Sequence, residues 1–364
     1  MTVDDWFLQR ARVTSKSHRR ITMDDKMTFF QQLSSLVTSG TPLMQSLELC
    51  AEQTLSTRLA EIVRDLAACV AGGSTLQAAM SQHPNVFEPH WTALIGTGEV
   101  SGKMGQVLTD LNEQIRESRE TSRKVTGSLI YPIILLIVAI LVVVIMLWFV
   151  VPTFAGMFEE MNAELPRITQ FVINASDYIA KYGVFIFAGI GALVYAFRRY
   201  MRTEAGRRRV VSIGLSLPLV GDLMVQAAMY RFASNLSLLL RSGVPMLDTL
   251  TALSTVFRAN PVYRDAILQT QSRVAAGRPL ADSLESSQLF TTMMTHMVLI
   301  GEESSQLANV MDELAPYYKD KMNGFISKVT KLLEPCIIMF MGGVIAVVML
   351  AIYIPMFEMS GKVN

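Results

Sequence analysis

The run Ser39-Gly40-Thr41-Pro42-Leu43 returns 203 positions later as Ser242-Gly243-Val244-Pro245-Met246, and that offset links landmarks along most of the chain. Gly98-Glu99-Val100-Ser101 falls on Gly301-Glu302-Glu303-Ser304, Phe29 on Phe232, Phe87 on Phe290 and Leu111 on Leu314. Pro132 falls on Pro335, Pro152 on Pro355 and Phe154 on Phe357. One residue of slip intervenes, where Gly73 and Leu76 match Gly277 and Leu280. A chain that repeats itself at a fixed period must build one structural unit twice.

Each copy ends in an apolar run. Leu129 to Val151 carries no charge, and neither does Pro335 to Phe357. Both exceed the roughly 20 residues with which a helix crosses about 30 Å of hydrocarbon. These runs explain why charged residues are only 17% of the chain, against roughly 25% in soluble domains. A third apolar stretch, Gly183 to Phe197, spans if the turn from Tyr178 to Tyr182 joins it and Lys181 reaches the headgroups.

The expected order is an N-terminal cytoplasmic segment (1–25), a first cytoplasmic helical domain (26–128), and a transmembrane helix (129–151). A periplasmic loop (152–178), a second transmembrane helix (179–197) and a second cytoplasmic helical domain (198–332) follow. A third transmembrane helix (333–357) and a periplasmic tail (358–364) complete it. The first 25 residues are charged throughout and read as cytoplasmic chain rather than a leader. Arg116, Arg119, Arg123 and Lys124 precede the first span, Arg198, Arg199 and Arg202 follow the middle one, and Lys319, Lys321, Lys328 and Lys331 precede the third. By the positive-inside rule both copies face the cytoplasm, and the middle helix serves to bring the chain back. That arrangement differs from the inverted repeats of alternating-access transporters.

Within the copies, apolar residues recur at helical spacing and strand-like alternation is absent, which predicts two small all-α lobes. Phe29, Leu33, Leu36 and Val37 form one stripe that stops at Gly40. Thr41 is expected to cap the next helix, with Pro42 at its first position. Leu43, Leu47, Leu55, Leu59, Ile62, Val63 and Leu66 continue the apolar face up to the break at Gly72-Gly73, after which Ser74 is expected to recap a short helix. A further helix crosses Trp91 to Ile95, and a long one runs from Met104 to Ser122 toward the membrane.

Several chemistries are disfavoured. A net charge of +1 does not fit binding to nucleic acid through its phosphates. Cys50, Cys69 and Cys336 form no C-x-x-C pair, and His18, His83, His90 and His296 lack metal spacing. No Gly-x-Ser-x-Gly elbow marks a nucleophile. Gly98-Glu99-Val100-Ser101-Gly102-Lys103 superficially suggests a phosphate loop, but three residues rather than four separate its glycines and Met104 follows the lysine. The expectation is instead a turn in which Gly98 ends one helix, Ser101 caps the next and Glu99 makes a polar contact. A calcium ion bridging Glu99 and another acid is conceivable by chemistry, with Lys103 opposing it. No cofactor is expected. The 23 methionines suit gap-filling in helical cores. Ala188, Ala192 and Ala196, and Gly342 with Ala346, form small-residue stripes that suit close helix packing within or between subunits. Arg207, Arg208 and Arg209 suit anionic headgroups or a protein partner.

The duplicated Ser-Gly-x-Pro corner, the Gly-x-x-Leu turn at Gly73 and Gly277, the Gly-Glu segment, and the spans that open on Pro132 and Pro335 and close on Pro152 and Pro355 resemble type II secretion system protein F. That family also includes the inner-membrane platform protein of type IV pili. The resemblance runs from about Met23 to Phe357, and departs where the second copy has Ser305 in place of Gly102. It implies a non-enzymatic, homo-oligomeric scaffold in the bacterial inner membrane, working with a cytoplasmic hexameric ATPase, with pilin or pseudopilin subunits and with other inner-membrane assembly proteins. The family-motif positions are then Gly40, Pro42, Gly73, Gly98, Glu99, Gly102, Pro132 and Pro152 in the first copy. In the second they are Gly243, Pro245, Gly277, Gly301, Glu302, Pro335 and Pro355. A small-solute transporter or channel is the alternative of a different class; it needs a polar route that the spans scarcely offer.

Overall fold

The computed structural model of the chain describes residues 20–150, 153 and 167–360. Pro152, Phe154, His18 and most of the expected outer loop lie outside them. The described residues form helices and no strand. In chain order these are α1 (Met23–Thr38), α2 (Leu43–Gln53), α3 (Thr57–Ala71), α4 (Leu76–Ser81), α5 (Pro89–Ser101) and α6 (Met104–Ile145), which ends in a π-helical turn at Met146–Val150. Then follow α7 (Arg167–Arg202), α8 (Glu204–Ser216), α9 (Val220–Arg241), α10 (Met246–Val256), α11 (Pro261–Ala275), α12 (Leu280–Glu285), α13 (Thr292–Glu303) and α14 (Leu307–Ser360).

The chain divides into two compact units. One comprises Met1–Ser122 and Arg207–Met322, the other Arg123–Gly206 and Asn323–Asn364. The first unit holds both lobes. Helices α1 to α5 with the start of α6 build the first lobe, and α9 to α13 with the start of α14 build the second, helix for helix at the repeat offset. Each lobe closes on an aromatic cluster. Phe29 and Phe87 stand 6.0 Å apart in the first, and their counterparts Phe232 and Phe290 stand 4.9 Å apart in the second. Phe29, Phe30 and Phe232 are at most 1% exposed, and each such burial stabilises by roughly 1.5–3 kcal/mol. Met80, Met229, Met294 and Met311 are fully buried, as gap-filling requires.

The corners follow from backbone chemistry. Gly40 and Gly243 sit at φ 87° and 85°, a region that a Cβ disfavours. This lets Thr41 N donate to Leu36 O and Val244 N to Leu239 O, closing the last turn of α1 and α9. Three local expectations need correction. Pro42 occupies the cap position itself, with Leu43 first in the helix and no side-chain cap from Thr41. Thr75, not Ser74, caps α4, its hydroxyl accepting from Ala78 N. The apolar face through Leu55 is broken into α2 and α3, and Leu55 at the break is 50% exposed. Ser56 caps α3 by accepting from Leu59 N, so the chain turns there instead of running on.

The second unit contains the apolar segments. Met104–Ile145 and Leu307–Val347 are long and apolar enough to cross a membrane, and Ile133, Ile137, Ile140, Ile338 and Phe340 along them are exposed as a lipid-facing surface would be. Each is continuous with the helix that ends its lobe, so Pro132 and Pro335 lie inside long helices and do not open new ones. The hydroxyl of Tyr131 donates to Glu334 Oε1 at 3.3 Å, joining positions that correspond in the repeat. Helix α7 covers the expected middle span in 36 residues. Helices α8 and α9 taken together are also apolar, but they meet at 108° and α9 buries Phe232, Ala233, Leu236 and Leu239 in the second lobe, where we place them.

Candidate functional site

Two arrangements carry the sequence motifs into three dimensions. The first is the Gly-Glu segment. Glu99 on α5 turns its carboxylate to the start of α4, accepting from Leu76 N at 2.5 Å and Gln77 N at 2.9 Å. Glu302 on α13 does the same to α12, accepting from Leu280 N at 2.8 Å and Ala281 N at 3.2 Å. A helix start leaves amide donors without partners, and an anionic acceptor there is favoured by the dipole. Both oxygens of each carboxylate are therefore held by amides, and no group of three or more acidic, His or Cys side chains suited to a metal ion occurs among the described residues. Glu99 is a tie between elements distant in sequence.

The glycines beside it have other jobs than expected. Gly98 does not end α5. It is buried within it, and a Cβ there would lie 3.1 Å from Val107 Cβ; at Gly301 a Cβ would lie 2.8 Å from Leu307 Cα. Both positions let the next long helix start against the preceding one. Gly102 ends the helix, at φ 68°, and Ser101 remains inside it, donating its hydroxyl to Thr97 O. In the second copy Ser305 takes the same left-handed conformation, at φ 58°, without glycine's freedom.

The second arrangement is the face where the lobes meet, which the sequence did not announce. Helix α5 of the first lobe packs against α10 of the second. Gln114 Nε2 donates to Asn235 Oδ1 at 2.6 Å, and the Tyr230 hydroxyl donates to Glu117 Oε2 at 3.2 Å. Lys319 Nζ lies 3.1 Å from Glu117 Oε1. Burial and the neighbouring Glu117 carboxylate push the Tyr230 phenol up from its ordinary value. Burial also raises Glu88 and Asp110, against the lowering pull of Lys26 and Arg231 on the first and of Arg241 on the second. His90 on α5 is 5% exposed, its Nδ1 has no hydrogen-bond partner, and burial pulls its imidazole down to about 3. It is neutral at any physiological pH. One signal was present in the sequence: the copies differ on the helix that makes this contact, with His90 and Thr97 standing where the second has Met293 and Ile300.

The remaining candidates stand apart. His83 Nε2 is 2.7 Å from Asp65 Oδ2 within the first lobe, and His296 is exposed. Arg207 donates to Arg258 O at 3.2 Å and Arg208 lies 3.2 Å from Asp265 Oδ2, so two arginines of the run help hold α8 to its own lobe. Arg209 is exposed. The small-residue stripes at Ala192, Ala196, Gly342 and Ala346 are exposed along their helices.

A duplicated helical lobe, each copy continued by a long apolar helix, defines a membrane-anchored helical protein built on an internal repeat. The profile of type II secretion system (T2SS), protein F matches residues 29–152 and again residues 232–355, and the chain belongs to that family. Among curated proteins it is 31% identical over 347 residues to type II secretion system protein F of Pseudomonas aeruginosa, covering 95% of this chain and 85% of that one. It is 29% identical over 340 residues to type IV pilus assembly protein PilC of Myxococcus xanthus, covering 93% of this chain and 81% of that one. Type II secretion system protein F of Vibrio cholerae is 29% identical over 346 residues, 95% and 85% of the two chains.

Proposed function

We propose that this chain is the non-enzymatic platform of a type II secretion or type IV pilus machine, seated in the bacterial inner membrane with its N-terminus and both lobes in the cytoplasm and its C-terminus in the periplasm. The observation that carries the reading is the continuity of lobe and span. Helices α6 and α14 are 42 and 54 residues long, about 63 Å and 81 Å at 1.5 Å per residue, and each begins in a lobe core and ends in an apolar run. Each helix runs on from its lobe into its apolar segment, with Pro132 or Pro335 inside it, so on this reading a displacement imposed on a lobe is passed along the same helix. The lobes would receive that displacement from a hexameric assembly ATPase, and the spans would hold and release pilin-like subunits as they leave the bilayer. Helix α7, with Arg198, Arg199 and Arg202 at its end, supplies the return crossing on this reading.

Co-purification tests it: the detergent-solubilised chain is expected to retain the cognate assembly ATPase, and failure to bind either that ATPase or the pilin-like subunits removes the proposal. Arg209→Glu is the cleaner probe of the arginine run, since Arg207 and Arg208 already serve the lobe. Reduced ATPase binding with unchanged melting is expected, whereas unchanged binding assigns the run to membrane topology.

A further inference from the structure

The contact between the lobes is not symmetric. Were it two-fold, each cross-lobe contact would have a mirror made by the corresponding residues. Gln114 and Asn235 are bonded, so their counterparts Tyr317 and Gln32 would also meet. Instead Tyr317 is 44% exposed, and Gln32 Oε1 is buried without a hydrogen-bond partner. The first lobe thus uses its α5–α6 face on the second lobe's α9–α10 groove, while the first lobe's own groove and the second lobe's own face are left over.

Both leftovers are visible. The groove between α1 and α2, lined by Thr28, Gln31, Gln32, Ser35, Leu36 and Gln53, encloses about 440 Å³ and no residue of the second lobe lines it. Its counterpart residues Asn235 and Leu239 are buried in the second lobe. On the other side, Met293 and Ile300 of α13 are 44% and 52% exposed, and Tyr317 of α14 is 44% exposed. Their counterparts in the first lobe are buried (His90), half-buried (Thr97) or bonded across the lobes (Gln114 to Asn235). A head-to-tail contact always leaves one complementary pair of surfaces free, and the same contact repeated between molecules covers it.

We propose that the α1–α2 groove of the first lobe receives the exposed α13–α14 face of the second lobe of another copy of this chain, repeating between chains the contact made within one. Two pairings support the choice of occupant. Gln32 Oε1 corresponds to Asn235 Oδ1, which accepts from Gln114, and Tyr317 corresponds to Gln114 and brings a hydroxyl donor. The pair Glu117 and Lys319 has as counterparts Asp320 and Arg116, which conserve the pair of opposite charges; Arg116 pairs with Glu113 and Glu120 on its own helix within the single chain. The copies would assemble as a ring or an open array, according to whether the rotation closes. This specifies a surface for the self-assembly expected of a platform.

Disulfide trapping in membranes tests it, using the full chain with Cys69→Ala and Cys336→Ala. Gln32→Cys with Tyr317→Cys is expected to give a ladder of linked chains, and chains carrying only one of the two are expected to give dimers when co-expressed and none alone. The reference pair Gln114→Cys with Asn235→Cys is expected to close within one chain. Asp320→Arg is expected to lower the intermolecular yield about fivefold, the equivalent of roughly 1 kcal/mol, and added Arg116→Asp to restore it. Monomers from the first pair while the reference pair closes overturn the proposal, as does Gln32→Cys linking to itself, which would mean a two-fold contact. Absent cross-links with ATPase binding intact remove this interface and leave the platform function standing.

Discussion

Trp91 and Met294 hold the same place in the two lobes and both are buried, but the residue before each differs sharply: His90 is 5% exposed and Met293 is 44% exposed. Along α5 the pattern continues, with His90, Trp91, Thr92, Leu94, Ile95, Gly96 and Gly98 all buried, whereas α13 buries only Met294, Thr295, Val298 and Gly301. The shared positions are those that face the lobe's own core. Among the divergent positions, Gly96 lies against Gln77 of its own lobe, whereas His90 is buried where Met293 is exposed. Duplication therefore preserved the packing inside each lobe, while the burial of the remaining α5 and α13 positions diverged.

The largest expected effect that separates the lobes is acid sensitivity at His90. Its folded imidazole takes up a proton only near pH 3, while the unfolded one does so near 6.5. The unfolded state thus binds more protons between these values. Stability is complete above pH 6.5 and falls by about 1.4 kcal/mol per pH unit as the pH drops toward 3. His90→Met, which installs the second lobe's residue, is expected to flatten that dependence in melting curves of the solubilised chain between pH 7 and 4.5; an unchanged slope would show that His90 is not the group responsible.

A smaller effect should be common to both lobes. Glu99→Ala and Glu302→Ala each leave amide donors at a helix start without their acceptor, at a cost of roughly 1–3 kcal/mol. Equal losses would confirm that the tie is the same device used twice; a loss at only one would break the equivalence. Smallest is Ser305→Gly, which relieves a side chain held at φ 58° and is expected to stabilise by about 1 kcal/mol, while Gly102→Ser should destabilise by a similar amount. Melting temperatures read both.

Much of the candidate site was legible in the sequence because repetition marks what a core cannot change. Gly40 and Gly243 were readable as helix ends, since a left-handed residue after an apolar stripe has few other uses. Glu99 was readable only as some polar contact; its partners, the amides of Leu76 and Gln77, lie over twenty residues away. The misplacement of the α5 terminus at Gly98 has a plain cause. Gly98 and Gly102 are equally able to end a helix by composition, and only the approach of Val107 and Met104 assigns one to close packing and the other to the turn.

The sequence by itself determined the helical lobes, their duplication and the apolar runs, because periodicity, turn residues and uninterrupted hydrophobicity are local properties that each segment carries alone. Tertiary structure decided that lobe and span are joined by unbroken helices, that Arg207 and Arg208 serve their own lobe, and that the lobes meet head to tail. The last could not be read in advance: two nearly identical surfaces can pair in more than one way, and the choice rests on which distant groups, such as Gln114 and Asn235 or Glu117 and Lys319, find each other across 121 and about 200 residues of chain.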